Sequence, residues 1–388
     1  MPKKLSDLRV ALDELDQKLL ETLAKRELIS VDVARIKSGG KQPLRDRVRE
    51  QEIVDRLIEK GKREGLDASF VKRVYNEILD HSVRLQQSLL VNNPSSSTGR
   101  DGSRAVVAFR GGEASYTYLA AVRHFGVRGN DVSYEGFKTA QEVVSAVQSG
   151  DADYAVLPME NTAAGAFSDA YEVLEKTDLK IVGEELQRLD HCLITLENIP
   201  LHRIRRIYSP PQAFEHCRSF LSTMNDCRLE AYPDTALAVR RVRDDEDLSQ
   251  AAIAGEEAAK LYGLPILKRD ISDRKELFTR MVIVAKDEVR VETNVPCKTS
   301  VIFSTDHEEG ALSKCLGVLA KYGCNLTKIE SRPRPETPWE YLFYLDFEGG
   351  KDKHSVDDAL QAMKKYTKKL KKLGSYPSQS RIDAEAVR

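Results

Sequence analysis

The leucine seam at the start of this chain limits its fold more than any other feature. Leu5, Leu8, Leu12, Leu15 and Leu19 step by 3, 4, 3 and 4 residues, and the apolar face continues through Leu23, Val33 and Ile36 to Gly39-Gly40. Those steps stack the leucines on one face of an α-helix, and the paired glycines end it. The helix they predict is about 33 residues, or about 50 Å at ~1.5 Å per residue. A second helix follows Pro43 with Ile53, Val54, Leu57 and Ile58 and stops around Gly61–Gly65. A third carries Phe70, Val71, Val74, Ile78, Leu85 and Leu89. Two short helices cannot cover so long a seam, so the pattern predicts an all-α, three-helix unit that pairs with a second copy, as a homodimer or higher homo-oligomer.

This pattern stops at Asn92-Asn93-Pro94-Ser95-Ser96-Ser97-Thr98-Gly99-Arg100-Asp101-Gly102-Ser103, which contains nothing apolar. Such a stretch reads as a linker over 93–103, closing a helical domain at 1–92. Beyond it, short β-branched runs alternate with helical ones. Ala105–Phe109, Tyr154–Leu157, Arg206–Tyr208 and Ala251–Ala254 read as strands. Helices are expected through Leu119, over Ala140–Ser149, Phe214–Leu221 and Glu256–Leu261. The alternation predicts a two-lobed α/β domain over 104–287, with its ligand in a crevice at the strand ends. A last domain over 297–377 reads strand (Ser300–Ser304), helix (Gly310–Tyr322), strand (Leu326–Glu330), strand (Tyr341–Phe347), helix (Val356–Lys369) and a strand near Leu373–Tyr376. That βαββαβ order is ferredoxin-like.

Composition removes several classes of function. Lys plus Arg is 60 and Asp plus Glu 61, a net charge of −1, which gives no bulk attraction to nucleic acid or anionic lipid. Eight lysines lie between Lys351 and Lys372, but Val356, Leu360, Met363 and Tyr366 interleave them at helical spacing, so they read as a solvated helix face. No apolar run approaches the ~20 residues that span a bilayer. The first residues lack the apolar stretch of a secretory signal. The six cysteines include no CxxC pair and no histidine at zinc spacing, which predicts reduced thiols, no metal and a cytoplasmic protein.

Polar residues interrupt the helical seams at regular intervals. Arg26 and Lys37 are 11 residues, three turns, apart; Asp46, Arg49 and Glu50 fall at i, i+3, i+4; Ser82 and Gln86 at i, i+4. Cations, carboxylates and neutral donors that converge in this way suit a compact dianion with an ether or hydroxyl oxygen. The run Leu8-Arg9…Leu23-Ala24-Lys25-Arg26-Glu27-Leu28…Lys37…Pro43-Leu44-Arg45-Asp46…Arg49-Glu50…Ser82…Gln86-Gln87 resembles the all-helical chorismate mutases. The resemblance implies that chorismate rearranges to prephenate here without a cofactor. Arg9, Arg26 and Lys37 would hold the carboxylates, and Lys37 and Gln86 would donate to the breaking ether. Asp46 and Glu50 would bind the ring hydroxyl, with Arg49 and Ser82 completing the pocket.

The middle of the chain resembles prephenate dehydratase, in Gly150–Gly165, Asp190-His191-Cys192-Leu193, Asp234-Thr235-Ala236 and Thr279-Arg280. It implies that prephenate loses carbon dioxide and its ring hydroxyl to give phenylpyruvate, with Thr279 beside the leaving hydroxyl. Asn161, Thr162, Ser115 and Arg280 would bind carboxylates, and Gln212 would line the other lobe. His191 reads first as a hydrogen-bonded structural histidine. The family's Thr-Arg-Phe is Thr279-Arg280-Met281 here, Leu277 replaces an asparagine, Pro210 a histidine, and Ala114 a glycine. Those departures leave open a chorismate mutase whose remainder is a catalytically decayed regulatory module, or a non-enzymatic amino-acid sensor.

Gly310-Ala311-Leu312-Ser313 and Glu330-Ser331-Arg332-Pro333 resemble the phenylalanine-binding segments of ACT domains. Trp339, the only tryptophan, lies nearby and reads as packing. Together the resemblances cover almost the whole chain and imply a bifunctional chorismate mutase–prephenate dehydratase inhibited by phenylalanine.

Overall fold

The computed structural model describes residues 5–38, 47–92, 104–126, 132–224, 226–291, 295, 297–306, 308–333, 340–349 and 353–378. Asp46, the linker 93–103 and Trp339 lie outside the described residues, as does the side chain of Lys37. Two compact units emerge: Met1–Asn92 with Arg290–Pro296, and Asn93–Val289 with Cys297–Arg388.

In the first unit the leucine seam is one unbroken helix, α1 (Leu5–Ser38, 34 residues). It is followed by α2 (Arg47–Arg63) and α3 (Ala68–Leu90). Gly65, at φ +80°, makes the turn out of α2, and the Leu66 amide donates back to the Gly61 carbonyl at 2.8 Å. Asp67 then accepts from the Phe70 amide at 2.9 Å and opens α3. One face of the C-terminal half of α1 is covered: Ser30 and Ala34 are buried, as are Val54, Val71 and Val83, while Leu28, Ile29 and Ile36 stay exposed. The N-terminal half is not covered, with Leu5 66%, Leu12 58% and Leu19 57% exposed. A two-residue strand, Val91–Asn92, pairs antiparallel with Arg290–Val291. The segment between the second and third sequence domains thus returns to the helical unit, which no local pattern announces.

Among the described residues, the second unit contains three sheets. In the first lobe, Ala105–Arg110 lies between two parallel neighbours, Val132–Phe137 and Tyr154–Asn161. Phe278–Ala285 then inserts antiparallel between Tyr154–Asn161 and Lys180–Arg188. The second lobe is a five-stranded sheet ordered Ile266–Lys268, Cys192–Thr195, Gln250–Ala254, Arg206–Ser209, Arg228–Ala231. The chain crosses between lobes at 189–191 and again at 269–277, so two short crossovers join the lobes.

The third sheet is antiparallel, ordered Asn325–Pro333, Tyr341–Glu348, Cys297–Ser304, Lys369–Pro377, with helices Ala311–Lys321 and Lys353–Met363. The β–α–β–β–α–β order is as expected, but the last helix ends at Met363 rather than Lys369. Lys369–Lys372 are strand, paired with Val301–Ser304, and Lys371 donates to the Leu174 and Glu175 carbonyls at 3.1 and 2.8 Å. Lys371 is thus committed to packing and Lys369 and Lys372 lie on a strand, so only part of the run is a solvated helix face. This sheet shares one core with the first lobe, where Ile302, Tyr344 and Leu373 join Leu157, Leu174 and Ile181. A Cβ at Gly374 would stand 2.1 Å from the Ile181 carbonyl oxygen, so the close approach of the two backbones requires glycine there.

Candidate active sites

In the helical unit, α1 and α3 bring three expected residues together. Arg26 donates to Ser82 Oγ and to the Ile78 carbonyl at 3.3 Å, and Ser82 donates to that same carbonyl at 2.9 Å. Burial pulls the Arg26 pKa below its ordinary value, against the opposing effect of Tyr75. Gln86, one turn beyond Ser82, is buried, and its Oε1 has no hydrogen-bond partner. A buried amide oxygen with no partner costs stability unless a ligand uses it. Arg49 and Glu50 lie in the first turn of α2. Arg9 is exposed on the uncovered end of α1, about 25 Å along the axis from Arg26 at ~1.5 Å per residue.

Between the two lobes of the second unit is a cavity of about 1070 Å³. Thr279, Asn161 and Gln212 line it, with Pro210, Asp234 and Arg240 on the second lobe and Tyr118, Tyr134 and Phe137 on the first. Thr279 and Asn161 face each other across adjacent strands, and Asn161 Nδ2 donates to Thr279 Oγ1 at 3.0 Å. The orientation of that amide is settled locally. Asn161 Oδ1 accepts from the Ala163 and Ala164 amides at 2.8 and 3.0 Å, which leaves only the NH₂ to face Thr279. Because Thr279 is the acceptor in that bond, its own proton is free for the cavity.

The other expected dehydratase residues are placed differently. Ser115 is buried and caps helix Tyr116–Phe125, accepting from the Tyr118 amide at 3.2 Å. Thr162 is exposed and accepts from the Phe278 amide at 3.1 Å. Neither lines the cavity. Arg280 faces away from it altogether. Successive strand residues point to opposite faces, so a cavity-facing Thr279 sends Arg280 to the far side. There it donates to Glu184 at 2.7 Å, Glu160 at 3.0 Å, Asp346 at 2.7 Å and the Tyr376 hydroxyl at 2.8 Å. Burial opposes the charge, but Asp346, Tyr376, Glu184 and Glu160 outweigh it and hold the Arg280 pKa well above its ordinary value. Engaged by three carboxylates and a phenol, Arg280 ties the first-lobe sheet to the C-terminal sheet and does not line the cavity.

Comparison with known proteins fits this geometry. Residues 8–87 match the family model for chorismate mutase type II, and residues 107–289 that for prephenate dehydratase. A bifunctional chorismate mutase/prephenate dehydratase of Enterobacter agglomerans is 36% identical over 385 residues, 98% of each chain. The chain belongs to the bifunctional chorismate mutase/prephenate dehydratase family. Among solved structures, the prephenate dehydratase of Arthrobacter aurescens in complex with L-Phe is 26% identical, with TM-score 0.65, over 71% of this chain and 91% of that one. A structure described as GqqA, a novel type of quorum quenching acylases, is 30% identical with TM-score 0.63, over 71% of this chain and 99% of that one. One fold therefore carries more than one described chemistry, and the site residues must decide between them.

Within the family framework, the departures of this chain have physical consequences. Ala114 stands where the family has glycine and adopts φ +62°, a left-handed conformation that costs a β-carbon about 1–2 kcal/mol. Leu277 is buried and offers its carbonyl to the Leu189 amide at 2.8 Å, holding the two crossovers together. Pro210 and Met281 both line the cavity, where they present apolar surface.

Two groups in the cleft have partners that the sequence does not show. Tyr116, His191 and His216 form a buried chain, Tyr116 Oη to His191 Nδ1 at 3.1 Å and His191 Nε2 to His216 Nδ1 at 3.1 Å. It joins the first lobe, the crossover and the second lobe. Burial, with His216 adding to it, pushes the His191 pKa down to about 3, so the ring is neutral. Asp234 is the second group: it caps helix Thr235–Asp245 through the Leu237 amide at 2.9 Å and also accepts from the Gly112 amide of the first lobe. Burial raises its pKa against the opposing pull of those amides. The Asp234-Thr235-Ala236 motif marked this position, but only the fold shows it meeting the glycine loop.

Proposed function

We propose that this chain makes phenylpyruvate from chorismate in two steps and is inhibited by phenylalanine. In the helical unit, Arg9, Arg26 and Lys37 hold the two carboxylates of chorismate, and Lys37 and Gln86 meet the ether oxygen as its bond breaks. Asp46 and Glu50 hold the ring hydroxyl, with Arg49 and Ser82 beside them. The rearrangement needs only a folded substrate and a stabilised oxyanion. A single-ring substrate cannot reach both Arg9 and Arg26 of one helix, so the mutase works as a homodimer in which Arg9 comes from the partner.

In the interlobe cleft, Thr279 passes its proton to the ring hydroxyl of prephenate, which leaves as water, and takes a proton back from solvent to close the cycle. Carbon dioxide departs, and the electrons of its C–C bond complete the aromatic ring. Asn161 fixes the Thr279 hydroxyl, and Gln212 and the cleft amides orient the substrate. The observation that carries this reading is the Asn161–Thr279 pair, whose polarity is set so that the threonine is the donor to the cavity. The βαββαβ unit acts as a ferredoxin-like ACT domain, with Gly310–Ser313 and Glu330–Pro333 as its phenylalanine-binding segments. Gly310, at φ +73°, opens the helix whose free amides suit an amino acid carboxylate. The protein works in the cytoplasm with no cofactor.

Incubation with chorismate, with prephenate and phenylpyruvate followed separately, tests this assignment. Both products in sequence are expected. Prephenate that accumulates without phenylpyruvate would make the second unit a regulatory scaffold, and no prephenate at all would leave only an amino-acid sensor.

A further inference from the structure

The strands that carry Asn161 and Thr279 each carry a charged neighbour on the opposite face. In the antiparallel register, Thr279 pairs with Asn161 and Arg280 with Glu160. One pair faces the cleft, joined at 3.0 Å; the other faces the C-terminal sheet, also joined at 3.0 Å. Neither strand can rotate about its axis without moving both pairs, because cross-strand partners are held by the same ladder.

On the face turned to the C-terminal sheet, Asp346 and Tyr376 hold Arg280 from two strands, and a third strand, Asn325–Pro333, reaches Glu160. Lys328 of that strand forms an ion pair with the second oxygen of Glu160. Arg332, four residues on, donates to Ser168 Oγ at 2.8 Å. Ser168 and Asp169 line the cleft at the start of helix Ser168–Lys176, and both Lys328 and Arg332 lie over the ring of Tyr171 in that helix, at 5.3 and 5.6 Å. The strand thus touches two cleft-lining elements at once. It also carries Glu330–Pro333, and Lys328 precedes that segment by two residues, on the same side of the strand as Glu330 and Arg332.

Resting on the reading of Glu330–Pro333 as an effector segment, we propose that Lys328 is the positioning residue through which phenylalanine reaches Thr279. Phenylalanine shifts the Asn325–Pro333 strand, Lys328 carries that shift to Glu160, and the shared ladder turns Asn161 and the Thr279 hydroxyl away from the substrate. Arg280 is the pivot: held by Asp346 and Tyr376 from the C-terminal sheet and by Glu184 from its own, it keeps the Glu160 side of the ladder in register with both. The effector inhibits because it binds more tightly to the turned arrangement, and the coupling is reciprocal.

The Lys328→Gln variant of the full-length protein tests this path. Glutamine keeps an amide donor for Glu160 in place of the ammonium, and circular dichroism should show the variant folded; Lys328 lies outside the cleft lining and precedes the effector segment by two residues. Phenylpyruvate formation without phenylalanine should stay within about twofold of wild type, while residual activity at saturating phenylalanine rises about fivefold or more, the range of ordinary coupling energies. Calorimetry should show phenylalanine still bound, and Lys328→Arg should restore inhibition. Unchanged inhibition in Lys328→Gln overturns the path. Loss of phenylalanine binding in that variant also overturns it, because Lys328 would then belong to the effector site. If the wild type itself neither binds phenylalanine nor is inhibited by it, the effector reading fails, and the path fails with it.

Discussion

Arg9 and Arg26 allow a quantitative test of how the mutase site is assembled. Both lie on the unbroken α1 helix, 17 residues apart. That spacing is about 25 Å along the axis, with the side chains pointing about 100° apart. An extended arginine reaches ~6–7 Å, so one chain cannot bring both guanidiniums to a single-ring dianion. Arg26 is anchored to Ser82 and Ile78, whereas Arg9 sits on the exposed end of the seam. A partner's α1, antiparallel on that seam, would cover Leu5, Leu12 and Leu19 and deliver Arg9 to the distant site. Arg9→Ala and Arg26→Ala should each lose about 10²–10³ in mutase kcat/KM, within the about 2–5 kcal/mol that truncating one partner of a buried, hydrogen-bonded charge pair costs. When equal amounts are co-refolded, about half of the dimers are mixed, and each mixed dimer has one site with both arginines and one with neither. A quarter of all sites is then intact, so the mixture should recover about 25% of wild-type prephenate formation, as required by one active site per mixed dimer. Mixed dimers seen by native mass spectrometry, with activity no higher than that of the two variants alone, would refute the shared site.

Two further outcomes follow from the second unit. Thr279→Val keeps the shape but removes the proton donor; phenylpyruvate formation should fall about 10²–10⁴-fold while prephenate still forms, and Thr279→Ser should retain most of the activity. A Thr279→Val protein that folds and dehydrates at the wild-type rate would remove Thr279 from the chemistry. His191 gives a pH signature: its folded pKa of about 3 lies below the ordinary 6.5, so its stabilising contribution is present above pH 6.5 and is lost as pH falls toward 3. At ~1.4 kcal/mol per unit, urea unfolding should show a loss of about 2–3 kcal/mol between pH 6.5 and 4.5 that is absent in His191→Asn. An equal loss in both proteins would show that other groups set the acid sensitivity.

Much of this protein is legible in local sequence. The leucine spacing forms α1 to within a residue or two because helix periodicity depends only on near neighbours. The βαββαβ order follows from hydrophobic runs and turn residues in the same way. Asn161 and Thr279 were found through short motifs because each sits at a strand end, where loop residues with distinctive chemistry cluster.

Arg280 shows where the local pattern stops. Its adjacency to Thr279 suggested one site, and only recognition of Phe278–Ala285 as a strand separates the two faces. That strand inserts between segments 90 or more residues earlier in sequence, Tyr154–Asn161 and Lys180–Arg188. Glu184, on Lys180–Arg188, is 1% exposed and pairs with Lys298 and Arg280. A glutamate in a strand pattern reads as solvent-facing, since a buried carboxylate is costly unless paired, and its partners lie about a hundred positions away. Tyr116, His191 and His216 meet for the same reason, one from each lobe and one from the crossover. Sequence alone determined the leucine-seam helix, the alternation of strands and helices and the chemical groups available. Tertiary structure decided which of those groups share a cavity, because burial and charge pairing depend on distances in space that residue numbers do not carry.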